Sequence, residues 1–126
     1  MGAGSWGTTF AQLLCDAGTP ATLWCRREPL AGAINGRHEN PDYLTGIELP
    51  ATLTATTDPR EALADAELVV LAVPAQTLRV NLASWAVLLP PGALLVSLMK
   101  GIELGSSNRM SEVIAQVTGA APDRIP

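Results

Sequence analysis

Histidine occurs once, at position 38, and cysteine twice, at positions 15 and 25, in a chain of 126 residues. Cys15 and Cys25 share no metal-ligand spacing and His38 has no thiol near it in sequence, so no zinc or other metal site is expected. Both thiols are expected reduced, Cys15 within a helix and Cys25 at a strand end. Basic residues are also few: eight Lys and Arg stand against twelve Asp and Glu, for a net charge of −4 and an isoelectric point near 4.8. Apart from the Arg26-Arg27 pair these cations are scattered, which argues against a nucleic-acid surface. Long apolar runs are missing as well. The most hydrophobic stretch, residues 68–75, falls far short of the roughly 18 residues needed to cross a bilayer, and Pro74 interrupts it. No signal peptide is visible, so the expectation is a soluble, cytoplasmic protein with no membrane insertion.

What the chain does contain begins at its first residues. Gly2-Ala3-Gly4-Ser5-Trp6-Gly7 reads G-x-G-x-x-G, the turn that lets backbone N–H groups approach a pyrophosphate at a helix N-terminus. A hydrophobic strand should precede it, and only Met1 does. Behind it, Phe10, Leu13, Leu14 and Ala17 fall at i, i+3, i+4 and i+7, predicting a helix buried on that face and stopped by Gly18. An ordinary amphipathic helix with small residues at its start would read the same way. Residues 21–24 then form a short buried strand ending at Cys25-Arg26-Arg27. In a dinucleotide-binding fold this strand end lies beside the adenine ribose, where an acid binds the 2′-hydroxyl of NAD and an arginine accommodates the 2′-phosphate of NADP. Two guanidiniums suit a phosphate. Taken alone they would also serve as a solvated pair.

From 29 to 50 the pattern loosens into a helical piece around residues 30–34 and a loop rich in Asn, Gly and Pro, where His38 is expected as a hydrogen-bonded loop residue. Residues 52–56 alternate as a third strand. Asp58, Pro59 and Glu61 then resemble a capping box opening a short helix to about Asp65. Residues 68–73 are apolar on both faces, as in an interior parallel strand covered by helices on each side. Leu78, Leu82, Trp85 and Leu89 mark the next helix, residues 93–98 another strand, and Met110, Val113, Ile114 and Val117 a last helix. Lys100 follows the final strand, at the sheet end where open α/β folds bind ligands; there it meets an anion or substrate oxygen, or is plain surface. The alternation predicts an α/β fold, a Rossmann-like doubly wound parallel sheet with helices on both faces, within one domain spanning 1–126.

Several segments together resemble one family, the bacterial NAD(P)-dependent glycerol-3-phosphate dehydrogenases. They are Gly2 to Thr9 with Ala11, Leu23-Trp24-Cys25-Arg26-Arg27, the run from Ile34-Asn35 through His38, Asn40-Pro41 and Tyr43-Leu44, Leu68-Val69 to Val73-Pro74-Ala75-Gln76, and Lys100-Gly101-Ile102-Glu103. The resemblance implies reduction of dihydroxyacetone phosphate to sn-glycerol 3-phosphate for glycerophospholipid synthesis, with NADPH preferred and NADH an alternative. It also implies that Gly2, Gly4, Ser5, Trp6 and Gly7 hold the cofactor from the turn. Arg26 and Arg27 would hold its adenosine end, Tyr43 would neighbour it, and Lys100 would touch both cofactor and substrate. Family members begin with a strand before the turn and continue past Pro126 into a helical domain that carries the proton-transferring lysine. The expectation is therefore a cofactor-domain fragment without its first strand, inactive by itself, from a parent expected as a homodimer. Two other readings remain: a related 6-phosphogluconate, ketopantoate or hydroxyacid dehydrogenase, against which Trp6 and the Lys100 to Glu103 run speak, and a non-catalytic dinucleotide-binding module.

Overall fold

Helix α1 (Ser5–Asp16) starts directly on the glycine turn in the computed structural model, which describes residues 1–126. The chain divides into two compact units, Met1–Ala62 and Leu63–Pro126. In the first, α1 leads to β1 (Ala21–Trp24), α2 (Glu28–Arg37) and β2 (Leu53–Thr56), and the two strands pair in parallel with Leu23 opposite Ala55. Alternation along the strands gathers Leu23, Cys25, Leu53 and Ala55 into one core with Ala11 and Cys15 of α1 and Leu30, Ala31 and Ile34 of α2. On the opposite face the hydroxyls of Thr22 and Thr54 lie 3.1 Å apart and exposed.

No strand forms before the turn. Instead the Gly2 N–H donates to the Trp24 carbonyl at 3.1 Å, tying the turn to the end of β1. Gly2 has φ 110°, a conformation that an L side chain rarely adopts. The outer edge of β2, which no strand covers, is closed by a side chain. Asn35 donates to the Ala55 carbonyl and accepts from the Ala55 N–H, both at 2.8 Å, so its amide stands in for a neighbouring strand.

The second unit repeats the parallel theme. Strands β3 (Leu68–Leu71) and β4 (Leu94–Ser97) pair with Leu68 opposite Leu94, and α4 (Leu78–Trp85) and α5 (Met110–Thr118) supply its helices. Leu78, Leu82, Trp85, Met110, Val113 and Ile114 are all buried, as their spacing predicts. In chain order, α3 (Pro59–Leu63) follows β2 and precedes β3.

Four readings need correction. The first concerns α1, whose buried face is Gly7, Thr8, Ala11 and Cys15, whereas Leu13 is 60% exposed. Small residues let the helix approach the sheet closely, and periodicity counts only apolar size. Second, β3 and β4 bury one face each: Val69, Leu71 and Leu95 are inside, while Leu68 and Leu94 stay 39% and 43% exposed. Third, α2 is a full helix rather than a short piece, despite Gly32 and Gly36, because Leu30, Ala31, Ala33 and Ile34 all pack inward. The fourth is the capping box before α3, of which only half forms. Asp58 accepts the Arg60 N–H at 2.8 Å, but the Glu61 carboxylate takes the Thr56 hydroxyl, which in turn accepts the Asp58 N–H.

Candidate functional site

The N-terminus of α1 is left open by the chain's own chemistry. Its N-cap is Gly4, no side chain caps it, and no acidic residue occupies its first turn. The positive end of the helix dipole and its first N–H groups thus have no anionic partner within the chain. A Cβ built on Gly4 would meet nothing within 4 Å. The fold itself therefore does not require glycine there, whereas a pyrophosphate seated on the backbone would. Trp6 stands 74% exposed beside this opening.

The loop after α2 folds onto the turn, and its key residue is Asn40. Fully buried, Asn40 donates to the Ala3 carbonyl at 3.0 Å and to the Thr8 hydroxyl at 2.9 Å. Its own oxygen accepts the Tyr43 N–H at 3.1 Å, and its carbonyl accepts the Leu44 N–H at 2.9 Å. The Ser5 hydroxyl donates to the Tyr43 carbonyl at 2.9 Å. One asparagine thus fixes the turn, the first turn of α1 and the loop together. Periodicity has no means of finding it: Asn40 lies in an irregular segment, and its value arises from groups more than thirty positions away in sequence.

Gly2, Gly4, Ser5, Trp6, Gly7, Arg26, Arg27 and Tyr43 are all carried by the turn, the end of β1 and this loop. The two arginines differ. Arg26 is exposed and makes no hydrogen bond or ion pair. Arg27 is the N-cap of α2, and its guanidinium binds the carboxylate of Asp42 at 2.5 Å. Between β1 and these arginines, Cys25 is buried, and burial followed by the charge of Glu28 pushes its thiol pKa up. Both Cys25 and Cys15 are free thiols.

His38 departs from its expected role. It ends α2 in the left-handed region at φ 53°, and its backbone is engaged, with its carbonyl accepting the Leu49 N–H at 2.7 Å. Its buried Nδ1, however, has no hydrogen-bond partner. The imidazole borders an open groove of about 360 Å³ with Thr22, Asn35, Thr54 and Glu61.

Lys100 belongs to the second unit, beyond β4. It is exposed and unpaired, and the segment that follows is clamped. The Gln76 amide donates to the Ile102 carbonyl and accepts the Leu104 N–H, both at 2.9 Å. Arg79 holds Glu103 through two bonds of 2.7 and 2.8 Å, and the Ser106 hydroxyl adds a third. The Arg79 fork, followed by Ser106, lowers the Glu103 carboxyl pKa to about 2. Lys100 and the run after it are legible in the sequence. That Gln76 and Arg79 hold this run is visible only in the fold.

No helix in the chain is long and apolar enough to cross a membrane. A sequence-family model described as NAD-dependent glycerol-3-phosphate dehydrogenase N-terminus matches residues 1–125. The chain is 62% identical over 125 residues to glycerol-3-phosphate dehydrogenase [NAD(P)+] of Corynebacterium diphtheriae, covering 99% of this chain and 38% of that protein. It is 60% identical over 125 residues to the Streptomyces avermitilis protein of the same name, covering 99% of this chain and 37% of that one. It thus spans little more than a third of the length of these curated relatives. Among solved structures, glycerol-3-phosphate dehydrogenase of Coxiella burnetii superposes with a TM-score of 0.86 at 27% identity, over 94% of this chain and 36% of that one. The Saccharomyces cerevisiae enzyme gives 0.85 at 29% identity, over 94% and 38%. These neighbours make the fold Rossmann-type α/β, and the chain belongs to the NAD-dependent glycerol-3-phosphate dehydrogenase N-terminus family.

Proposed function

We propose that the chain is the dinucleotide-binding part of a glycerol-3-phosphate dehydrogenase, taking up NADPH or NADH for reduction of dihydroxyacetone phosphate to sn-glycerol 3-phosphate. The observation that carries the reading is the open start of α1: an uncapped helix N-terminus behind a glycine, Gly4, that the fold does not itself require. The cofactor pyrophosphate would lie on the backbone of Gly2, Gly4, Ser5 and Gly7, where N–H groups and helix dipole favour an anion. Trp6 and Tyr43, both exposed, would flank it. Arg26 and Arg27 would face the adenosine end, and the unpaired Arg26 suits the 2′-phosphate of NADPH.

When bound, the reduced nicotinamide supplies the hydride. Lys100 would contribute a positive charge near the cofactor and the substrate oxygen, stabilising negative charge as it develops. Gln76 and the Arg79–Glu103 pair would hold the segment on which that lysine is mounted. The proton-transferring lysine would lie in the part of the parent protein outside these residues.

Titration calorimetry with NADPH and NADH tests the reading. Saturable binding with one dinucleotide per chain is expected, weakened at least ten-fold by Gly4→Val, whose branched side chain would block the pyrophosphate. Absence of binding to the unaltered chain would overturn it. Mixing the chain with NADPH and dihydroxyacetone phosphate should give no turnover. Turnover near that of a full-length relative would refute a purely cofactor-binding role.

A further inference from the structure

The two arginines at the end of β1 are adjacent in sequence, but the structure gives them unequal electrostatic surroundings. Arg26 carries its charge into solvent with no partner. Arg27 is neutralised by Asp42, and that carboxylate is held in place by more than the ion pair. It sits in a turn closed by the Leu44 N–H to the Asn40 carbonyl, with the Tyr43 N–H on the Asn40 side chain, and Asn40 is itself fully buried. The acid is thus presented to Arg27 by an anchored loop, and a ligand phosphate that recruits Arg27 must compete with it. Around the adenosine end the formal charge from Arg26, Arg27 and Asp42 is one positive rather than two.

We propose that Asp42 sets the cofactor discrimination of this site. By engaging Arg27 it tempers the preference for a 2′-phosphate, leaving Arg26 as the permanent phosphate cation and keeping NADH an acceptable ligand. This inference rests on the dinucleotide reading. Its physical basis is simple: Asp42 repels a dianionic 2′-phosphate and occupies a guanidinium that would otherwise fork onto it, whereas a 2′-hydroxyl carries no charge to feel either effect.

The test is the ratio of NADPH to NADH affinity, measured by calorimetry on the 126-residue chain. Asp42→Asn, nearly isosteric at an exposed position, should raise that ratio about five-fold, the size of one charge pair a few ångströms apart in a largely aqueous setting. The gain should reside in NADPH and shrink as salt is raised. Asp42→Glu, which keeps the charge, should stay within about two-fold of the unaltered chain. A ratio unchanged by Asp42→Asn overturns the proposal. So does a parallel change in both affinities, which would report loop disruption rather than charge. If the unaltered chain binds neither cofactor, the dinucleotide reading fails, and this inference with it. If both bind and only the ratio fails to move, the dinucleotide reading survives and this inference alone is lost.

Discussion

The side-chain amide of Asn40 donates to the Thr8 hydroxyl at 2.9 Å, joining an irregular loop to the first turn of α1 inside the core of the first unit. Thr8 is itself fully buried, so each side chain satisfies a polar group that would otherwise be stranded away from water. Because the same amide also bonds to the Ala3 carbonyl, the geometry of the proposed pyrophosphate turn depends on a residue that never faces the ligand.

Asn40→Ala removes two donors and one acceptor at once. The expected loss is about 2–4 kcal/mol of stability, since buried partners at Ala3 and Thr8 are left unpaired and the Tyr43 N–H loses its acceptor. Asn40→Asp should be at least as costly, because a carboxylate cannot donate to the Ala3 carbonyl. Urea denaturation gives the energy. Hydrogen exchange at the Tyr43 and Leu44 amides shows whether the loop detaches first, and unchanged protection there would refute the anchoring role.

Substitutions on α1 distinguish its two faces. Leu13→Gln should change stability by no more than about 0.5 kcal/mol, because Leu13 is mostly exposed. Ala11→Leu should destabilise by about 1–3 kcal/mol, because Ala11 lies in the closely packed core against β1. Thermal melts of both variants suffice, and the reverse order would mean that the buried face is the one periodicity suggests.

Two ionisations make stability rise with pH, each in its own window. Burial lowers the pKa of the Met1 amine from 8.0 to about 6. Between those values the unfolded chain holds a proton that the folded chain does not, so stability should rise by roughly 2–3 kcal/mol from pH 6 to pH 8. Acetylation of the amine should remove the slope. Glu103 behaves in the usual carboxylate sense. Its pKa is lowered to about 2, chiefly by Arg79, so its contribution is present above pH 4.5 and is lost as pH falls through about 2. A carboxyl chemical-shift titration should find Glu103 still ionised at pH 3, and a midpoint near 4.5 would refute the clamp.

Much of the architecture is legible before folding. Residues 21–24 form β1 as read, and the spacing of Leu78, Leu82 and Trp85 and of Met110, Val113 and Ile114 marks faces that are buried. These succeed because the signal is local: one apolar period in one element. The buried face of α1 is misread for the complementary reason. Gly7, Thr8 and Ala11 are buried for being small, and smallness matters only once a neighbouring strand is in place. The same limit applies at the arginines. Sequence shows two cations at a strand end, and nothing in it separates Arg26 from Arg27 until Asp42, fifteen residues further on, is folded against one of them.

The order of helices and strands, the glycine turn at the head of α1, the paired arginines after β1 and the lysine after β4 are each written in adjacent residues or a short period. Which of those groups are restrained depends on contacts that exist only after folding. Asn40 fixes the turn, Asp42 occupies Arg27, Asn35 closes the edge of β2, and Gln76 and Arg79 hold the segment after Lys100. Each is a directional bond between polar groups distant in sequence. Such bonds form only where the fold brings the two groups together, and at the buried Asn40 it also excludes water as the competing partner.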